Sequence, residues 1–464
     1  MAGARHVDVH VTWGGDGTVR ITDGSPVGGA DAYDGEVAAG GLDFTRAVLD
    51  VAGAVLTWPV LGDPSLPSSA WIHDPARAQQ WLWALYGERV AAAVHDLATR
   101  EPGGTQEPGE AQAVDGVRVA AEPTALAGCA ARLAFAHWAA RWWPASYLDG
   151  IQALEPAVLG LESAALTHRC QQLFDDEGDQ PDDCAAELIT EHEAALDPLI
   201  RWWRGAPQPP YTARHVESVL RLIDDAADSS GLDGPALRRL RSALDGPDPT
   251  EAGELLDIGA LFTRSGGYAL AAGEPLGAGG RVIARGAGTN DWRRYPPGFV
   301  DATETAVSWT VRALGARRRV EVEAVAHDAA PTADLSLVAE VLANGDGPHR
   351  VPLARRDDLW TGRLDLPPEL PVEALSPRID VGLLLPGFDP GPGTSGAADD
   401  RAGREAVRAL ARRRLATAAR PPAYDGSPYD GSPYDGSPNG GSPHDTREAP
   451  LLAETVAAAA DEDY

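Results

Sequence analysis

The sequence predicts a multidomain α+β protein with an N-terminal α/β segment, an all-α helical middle domain, a C-terminal antiparallel β-sandwich of the immunoglobulin-like class and a disordered repeat tail. Its 464 residues suit about two to four domains. Apolar residues make up 44% and charged residues 23% of the chain, as in ordinary globular proteins. The hydrophobic pattern is helical in the middle of the chain, alternates after about residue 258 and becomes a polar repeat after residue 420.

Residues 1–100 form the predicted N-terminal α+β region. Alternating apolar and polar residues at 6–22 flank a glycine-rich turn, which is typical of a β-hairpin. Asp74 followed by Pro75 predicts the start of a helix, because an aspartate side chain accepts hydrogen bonds from the free N–H groups of a first helical turn. Residues 44–61 are apolar and fit either a helix or strands.

A linker rich in Pro, Gly and acidic residues is predicted at 101–115, followed by a helical domain at 116–250. Within that domain, residues 125–143 are apolar on most sides, which indicates a central helix surrounded by others. Further helices are predicted from one-sided apolar stripes at 156–174, 182–204 with a break at Asp197-Pro198, 212–228 and 235–245.

Short alternating runs separated by turn residues predict the β-sandwich domain at 258–390. It lacks the two cysteines of an antibody domain, and Trp309 is the expected core aromatic residue. The predicted strands lie at 305–313, 318–326, 335–343, 349–354, 359–366 and 378–385.

The last part of the chain has three predicted segments. A basic helix occupies 399–420, and a linker at 421–448 carries three copies of Tyr-Asp-Gly-Ser-Pro. We expect this linker to be disordered, because a polar repeat with Gly and Pro in every copy cannot bury a core. The final segment, 449–464, is an acidic C-terminal tail that again contains apolar residues.

Composition and charge exclude several functions. The net charge is -30 and every basic side chain is an arginine, so a phosphate-binding loop lysine and a Schiff-base lysine are excluded. The acidic surface repels nucleic acid, which we do not expect as a partner, although residues 401–420 have a net charge of +6. Without a signal sequence, a transmembrane stretch or a disulfide framework, and with a composition typical of a GC-rich bacterial genome, we expect a bacterial cytoplasmic protein.

No motif defines catalytic or metal chemistry. His168 and Cys170 are two residues apart and point to different faces of a predicted helix, and Cys184 and His192 are eight residues, about 12 Å, apart along another, which argues against a zinc site. Gly-rich phosphate-binding and nucleophile-elbow motifs are missing. We therefore expect no metal and no cofactor, name no catalytic residue, and favour a protein that is not an enzyme.

Three groups of residues are candidates for binding. Tryptophans at helix ends either complete a core, bind a protein partner or line a ligand pocket. Arginines of the basic helix either pack against this protein's own acidic surface, which we favour, or contact an anionic surface. The candidates for partner binding are Trp138, Trp142, Trp143, Trp202, Trp203, Leu451, Leu452, Val456 and Tyr464, and those for anionic-surface contact are Arg408, Arg412, Arg413 and Arg414.

The function that the sequence favours is a non-catalytic protein-interaction scaffold or adaptor of a bacterial cytoplasmic multi-protein system. Its tethered acidic C-terminal tail is the expected docking element for a protein partner of unknown identity. One alternative is a hydrolase or transferase with its site in the helical domain. The other is an adaptor that binds an anionic membrane or nucleic acid through the basic helix at 401–420.

Overall fold

The structure is a computed structural model, and it combines helices with two antiparallel sheets, which fits a multidomain α+β class. The predicted linkers at 101–115 and 421–448 lie outside the residues that it describes. The described residues are 7–14, 17–23, 44–62, 66–99, 116–122, 124–174, 181–205, 209–246, 258–262, 280–315, 317–327, 337–366, 378–388, 397–420 and 449–460.

Among the described residues, six strands form the first sheet, in the order β3-β4-β5-β2-β1-β6 with antiparallel pairs throughout. The predicted hairpin at 6–22 is confirmed. Residues 116–121, which we assigned to the helical domain, instead form the edge strand of this sheet beside β1. The strands are β1 (Val7–Trp13), β2 (Val19–Asp23), β3 (Arg46–Val51), β4 (Ala54–Pro59), β5 (Ser69–Ile72) and β6 (Gly116–Ala121).

The turn between β3 and β4 joins the sheet to the first helix, which spans Pro75–Tyr86. Gly53 lies in this turn with φ of 73°, and its carbonyl accepts hydrogen bonds from the N–H groups of His73 at 3.0 Å and Asp74 at 2.9 Å. Asp74 in turn caps the helix through the N–H groups of Ala76 and Arg77, as the sequence predicts. The ambiguous stretch at 44–61 is therefore a hairpin whose turn is fixed against a helix N-terminus.

The helical layer follows the predicted boundaries closely, because the apolar stripes that predicted the helices are the faces that they bury. The helix at Ala125–Trp142 is buried on nearly all sides, which confirms its central position. A 3-10 turn at Glu193–Ala195 divides the stretch predicted as 182–204, whereas Asp197-Pro198, where we predicted the break, lies in the first turn of the next helix. The helices are α1 (Pro75–Tyr86), α2 (Glu88–Thr99), α3 (Ala125–Trp142), α4 (Pro156–Arg169), α5 (Pro181–His192), α6 (Leu196–Gly205), α7 (Pro210–Ser229), α8 (Pro235–Asp245), α9 (Ile258–Leu261), α10 (Ala397–Ala419) and α11 (Leu452–Ala459).

The second sheet is a curled half-barrel of seven strands within the described ranges, in the order β13-β10-β11-β12-β9-β8-β7. Thr289, just after β7, pairs with Gly382 of β13, so the two ends of the sheet approach each other. Trp309 is buried in its core, as predicted. The strands are β7 (Arg281–Ala287), β8 (Val307–Leu314), β9 (Arg317–Val325), β10 (Leu337–Ala343), β11 (Asp346–Arg356), β12 (Leu359–Leu366) and β13 (Ile379–Leu384).

One long strand explains why the immunoglobulin-like part of the prediction is not confirmed. The first part of β11 pairs with β10, whereas its last residues, 354–356, pair with β12. The same strand therefore runs through both halves of the β domain, and hydrogen bonds join what a sandwich would keep as two separate sheets.

The second sheet is fixed to the helical layer by a buried carboxylate. One Asp301 oxygen accepts hydrogen bonds from the Ser146 hydroxyl at 2.7 Å and the Thr303 N–H at 2.9 Å, and the other accepts from the Leu148 N–H at 3.1 Å. The Trp292 indole donates to the Trp142 carbonyl at 3.2 Å. Buried apolar side chains of both sheets and of the helices form one continuous core, so these parts pack as a unit.

We expect Gly53→Ala to destabilise the chain by about 3 kcal/mol, because a Cβ atom there meets the Asp74 carbonyl and the backbone φ is positive. Gly17→Ala is the matched control, since Gly17 also has a positive φ, of 90°, but no atom lies within 4 Å of an added Cβ. Its expected cost is about 1 kcal/mol. Urea unfolding of both variants measures the difference, and equal losses would show that the contact with Asp74 is unimportant.

Candidate functional site

The basic helix α10 packs against the chain's own carboxylates. The Arg404 guanidinium, whose side chain is 2% exposed, donates to both Glu304 oxygens at 2.7 and 3.1 Å. Arg408 is equally buried and lies 3.3 Å from both Glu304 and Asp149. Because Glu304 precedes β8 and Asp149 follows α3, this helix connects the second sheet with the helical layer, which is the arrangement that we favoured for the segment.

The remaining arginines predicted for anionic contact differ in exposure. Arg412 is half-exposed and donates to Glu405 at 3.1 Å, and Arg413 is exposed. Arg414 is largely buried and turns to the opposite side, towards α11. Contact of this helix with an anionic surface stays a prediction, and three of its four candidate side chains pair with carboxylates of the chain itself.

Helix α11 is held to α10 by a buried, two-pronged ion pair. Arg414 Nε lies 2.6 Å from Glu454 Oε1, and its Nη2 lies 2.8 Å from Oε2. The same guanidinium donates to the Ala449 carbonyl at 3.2 Å and lies over the Phe135 ring at 4.3 Å. Glu454 has no solvent exposure, and its Oε2 also accepts the Leu451 N–H at 2.6 Å. Paired hydrogen bonds between charged groups are the strongest that side chains form.

A second buried ion pair holds the first turn of α11 by its backbone. Arg132 of α3 and Glu162 of α4 are 2.6 Å apart, with side-chain exposures of 6% and 2%. Arg132 also donates to the Pro450 carbonyl at 3.1 Å, and Glu162 accepts the Leu452 N–H at 2.7 Å. A carboxylate at a helix N-terminus is favourable because the first N–H groups have no partner inside the helix.

The apolar residues predicted to bind a partner are buried in the chain's own core. Leu451 and Leu452 have no exposure and Val456 has 3%, while Tyr464 lies outside the described residues. We call residues 449–460 the docking segment and the surface formed by α4, α7 and α10 that receives it the docking groove.

The five predicted tryptophans also contact the chain itself. Each is buried, and the Trp138 and Trp143 indoles donate to the carbonyls of Phe44 and Gln152. In this conformation the rings complete the core, which was the first of the three interpretations. Binding of a partner by Trp138, Trp142, Trp143, Trp202 and Trp203 stays a prediction.

Apart from Arg414, the residues that hold the docking segment were not predicted from the sequence. Arg132 and Glu162 are each the one charged residue in the most apolar part of a helix, and such residues are rarely buried unless they are paired. A charged residue in an apolar stretch therefore indicates a buried ion pair, but the sequence does not show which residue is its partner. Glu454 gave a similar signal, because the other residues at 451–460 are apolar except for Thr455.

A cleft of about 340 Å³ opens beside the docking groove and reaches the Arg132–Glu162 pair. Among the histidines, His215 lines this cleft, whereas His73, His137, His168 and His192 do not. The residues that the structure describes contain no group of three or more His, Cys, Asp or Glu side chains arranged to hold a metal ion. Nor do they contain a helix that is both long and apolar enough to span a bilayer.

Loss of one partner of the Arg414–Glu454 pair should destabilise the docked helix. We expect Glu454→Gln to lower the opening free energy of α11 by about 3 kcal/mol, because a buried guanidinium is then left without its carboxylate. Asp197→Asn is the control, since it breaks a two-pronged pair with Arg239 that is 43% to 54% exposed, and should cost less than about 1 kcal/mol. Native-state hydrogen exchange measures the opening free energy of α11 for the first variant and of α6, which carries Asp197, for the second.

The double variant Arg414→Met/Glu454→Leu sharpens this prediction, because it leaves no buried charge. We expect it to regain part of the stability lost in either single variant. A loss equal to the sum of the single losses would contradict the pairing.

The pKa values of Glu162 and Glu304 are shifted in opposite directions, so the two carboxyls make the free energy of unfolding depend on pH in opposite ways. Burial raises the pKa of Glu162 above its ordinary 4.5, although Arg132 and the Leu452 N–H oppose the shift. Burial also acts to raise the pKa of Glu304, but hydrogen bonds and charges from Arg404 and Arg408 outweigh it and lower that pKa. Glu162 therefore makes its full contribution to the free energy of unfolding below about pH 4.5, and this contribution is lost as pH rises through its folded-state pKa. The contribution of Glu304 is present above about pH 4.5 and is lost as pH falls through its lowered pKa.

We expect unfolding free energies in urea to separate these two effects. As pH falls from neutral towards 4.5, the original chain should gain stability relative to Glu162→Gln. Below pH 4.5 it should lose its advantage over Glu304→Gln. Parallel profiles for the two variants would contradict the assigned pKa directions.

No protein-family model, no curated protein and no solved structure matches the chain.

Proposed function

We propose that the chain is a non-catalytic protein-interaction scaffold whose docking element is the C-terminal segment at 449–464. The observation that supports this proposal is the buried α11, which meets α10 through Arg414 and Glu454 although residues 421–448 separate them in sequence. A short segment on a long connection that fits a groove with charge-paired contacts is the arrangement of a tethered ligand and its receptor.

Helix α11 depends on the groove for its structure. It has eight residues, and isolated helices of that length are marginal in water. Its burial, the Arg414–Glu454 pair and the backbone contacts with Arg132 and Glu162 supply the stabilisation. The helix therefore folds where it docks, as recognition segments do.

The docking groove recognises only a few side chains of the docking segment. A partner that carries the same few side chains in the same spacing would therefore fit the groove. The contacts of Pro450 and Leu452 with Arg132 and Glu162 involve only backbone atoms, which many sequences offer. Specific recognition comes from the buried leucines at 451 and 452 and from the Glu454 carboxylate. A partner helix with an apolar first turn and a glutamate two residues after a leucine has the same chemistry.

The connection makes the chain's own segment a strong competitor for the groove. The sequence predicts a disordered linker at 421–448, and a random coil of that length would span about 30 Å and hold the segment at an effective concentration of the order of millimolar. A partner must therefore bind the groove, or the segment itself, well enough to overcome this local concentration. The intact chain would respond only to partners with high affinity.

We would test the proposal by cutting the connection after folding. A site for a sequence-specific protease replaces the repeat at 434–438, and the full chain is cleaved in its folded state. We expect the labelled C-terminal fragment to stay bound at micromolar concentration, to dissociate on dilution and to rebind with 1:1 stoichiometry. Fluorescence anisotropy measures the release.

Two neighbouring arginines provide the matched variants. Arg414→Gln should weaken rebinding by about a hundredfold, since it leaves Glu454 buried without its cation. Arg413→Gln, at an exposed position, should change it by less than about threefold. If release of the fragment unfolds the rest of the chain, α11 is an integral core helix and the proposal is wrong.

A further inference from the structure

Strand β6 leaves one edge of the first sheet open. It pairs with β1 on one side, and within the described ranges no strand pairs with its other side. Residues 116–118 are exposed, and Val117 is 38% exposed. An edge strand of this kind presents backbone N–H and C=O groups that can pair with an added strand.

The hydrogen bonds of β1 show which of these groups point outwards. Opposed residues of an antiparallel pair alternate between hydrogen-bonded and non-hydrogen-bonded pairs. Gly14 continues the register of β1 with β2 and lies opposite Thr18, and its N–H donates to the Thr18 carbonyl at 2.8 Å. The even-numbered residues of β1 therefore bond to β2, and its odd-numbered residues bond to β6 on the other side.

The same alternation applies to β6. Val9 of β1 lies opposite Val119, so the odd-numbered residues of β6 bond to β1 and its even-numbered residues point their backbone groups away from the sheet. Glu122, the next even-numbered residue, agrees with this direction, because its N–H donates to the Tyr86 carbonyl of α1 at 3.0 Å. The residues with outward backbone groups that have no backbone partner among the described residues are Gly116, Arg118 and Ala120.

Strand β6 lacks the features that usually keep an edge strand from pairing. Such features are β-bulges, prolines and several charged side chains. Strand β7, at one edge of the second sheet, has a bulge between Val282 and Ala284 and exposed arginines at 281 and 285. The register of β6 is regular, the strand has no proline, and Arg118 is its one charged residue.

The side chains of β6 define what an added strand must carry. Arg118 Nε donates to His10 Nε2 at 2.9 Å, which uses one of the five N–H groups of the guanidinium, and no carboxylate among the described residues pairs with its charge. A carboxylate directly opposite Arg118 on an added strand can form this pair. On the other face, Val117 is exposed and Val119 is half-buried, so apolar side chains opposite them would leave water.

We propose that β6 binds an extended segment of a partner protein as an additional antiparallel strand. The segment has a carboxylate residue opposite Arg118, between two apolar residues opposite Val117 and Val119. A second copy of β6 fits less well, because residues 116–121 contain no carboxylate and each chain has a net charge of -30. This surface goes beyond the docking function and is separate from the contacts of α11 with α4, α7 and α10.

The probe is the peptide Thr-Val-Glu-Val-Thr with a fluorophore at its N-terminus and an amidated C-terminus. Its glutamate lies opposite Arg118 when its two ends pair with Gly116 and Ala120. Fluorescence anisotropy with the full chain should show saturable 1:1 binding with a Kd of about a millimolar or less. The same peptide with lysine in place of glutamate should bind at least about threefold more weakly. Because the net charge of the chain attracts the lysine peptide, the opposite preference identifies the contact with Arg118.

Methylation of single peptide nitrogens tests the hydrogen-bond pattern without any change to the protein. A methyl group on the glutamate nitrogen removes the N–H that donates to the Arg118 carbonyl, and should weaken binding by about tenfold or more. A methyl group on the nitrogen of the second valine replaces an N–H that points away from β6, and should change the affinity by less than about threefold.

A charge reversal provides the variant and its control. Arg118→Glu should make the lysine peptide bind more tightly than the glutamate peptide, because the cross-strand charges are reversed. Arg285→Glu, on the edge strand β7, should keep the original preference for glutamate. Both side chains are exposed, so each variant should retain a cooperative thermal transition.

The proposal is overturned if the glutamate peptide does not saturate, if the two N-methylated peptides bind alike, or if Arg118→Glu keeps the preference for glutamate. It is also overturned if sedimentation shows a dimer that the peptide dissociates, since a second copy would then occupy β6. None of these outcomes depends on whether the docking segment is released after cleavage of its connection.

Discussion

Buried pairs of arginine with a carboxylate from a distant part of the chain determine how the parts of this structure meet. A guanidinium removed from water without its carboxylate costs several kcal/mol, so each pair requires its two segments to come together. Arg132 contacts Glu162 and Pro450, which are 30 and 318 residues away in sequence. Arg404 contacts Glu304, 100 residues away, and the docking segment, the helical layer and the second sheet are linked in this way.

Helix α10 has the central position in this network, because its arginines point to both sides. Arg404 and Arg408 contact the second sheet and the loop after α3, while Arg414 contacts the docking segment. The two-pronged contacts of Arg404 and Arg414 use the planar geometry of guanidinium, which an ammonium group cannot reproduce. A chain whose basic side chains are all arginine is suited to such buried pairs.

Local features of the fold could be predicted from the sequence, because they depend on neighbours in the chain. The Asp74 cap, the first hairpin and the buried stripe of α7 follow from hydrogen bonding and periodicity over a few residues. The pairing of β6 with β1 and the continuity of β11 depend on distant partners, which periodicity does not identify.

The docked position of α11 illustrates the same limit at the candidate site. The stretch Leu452–Ala459 is apolar on nearly every side, which is typical of a buried helix. This pattern indicates burial but not the groove that provides it. The acidic residues after 460 and the polar repeats before 449 instead indicated an exposed tail. Only the contacts of Arg132, Glu162 and Arg414 show where the helix lies.

The arrangement of charges also bears on whether docking can be reversible. When α11 leaves, Arg132 and Glu162 lose only backbone partners and remain paired with each other. Arg414 loses the Glu454 carboxylate when α11 leaves, and its side chain is 11% exposed in the docked state. Reversible docking therefore requires the Arg414 guanidinium to return to water, because a charge that stayed buried and unpaired would oppose release. The cost of release is then mainly the exposure of apolar surface, including Leu451, Leu452 and Val456, which a partner helix with a similar apolar face can cover again.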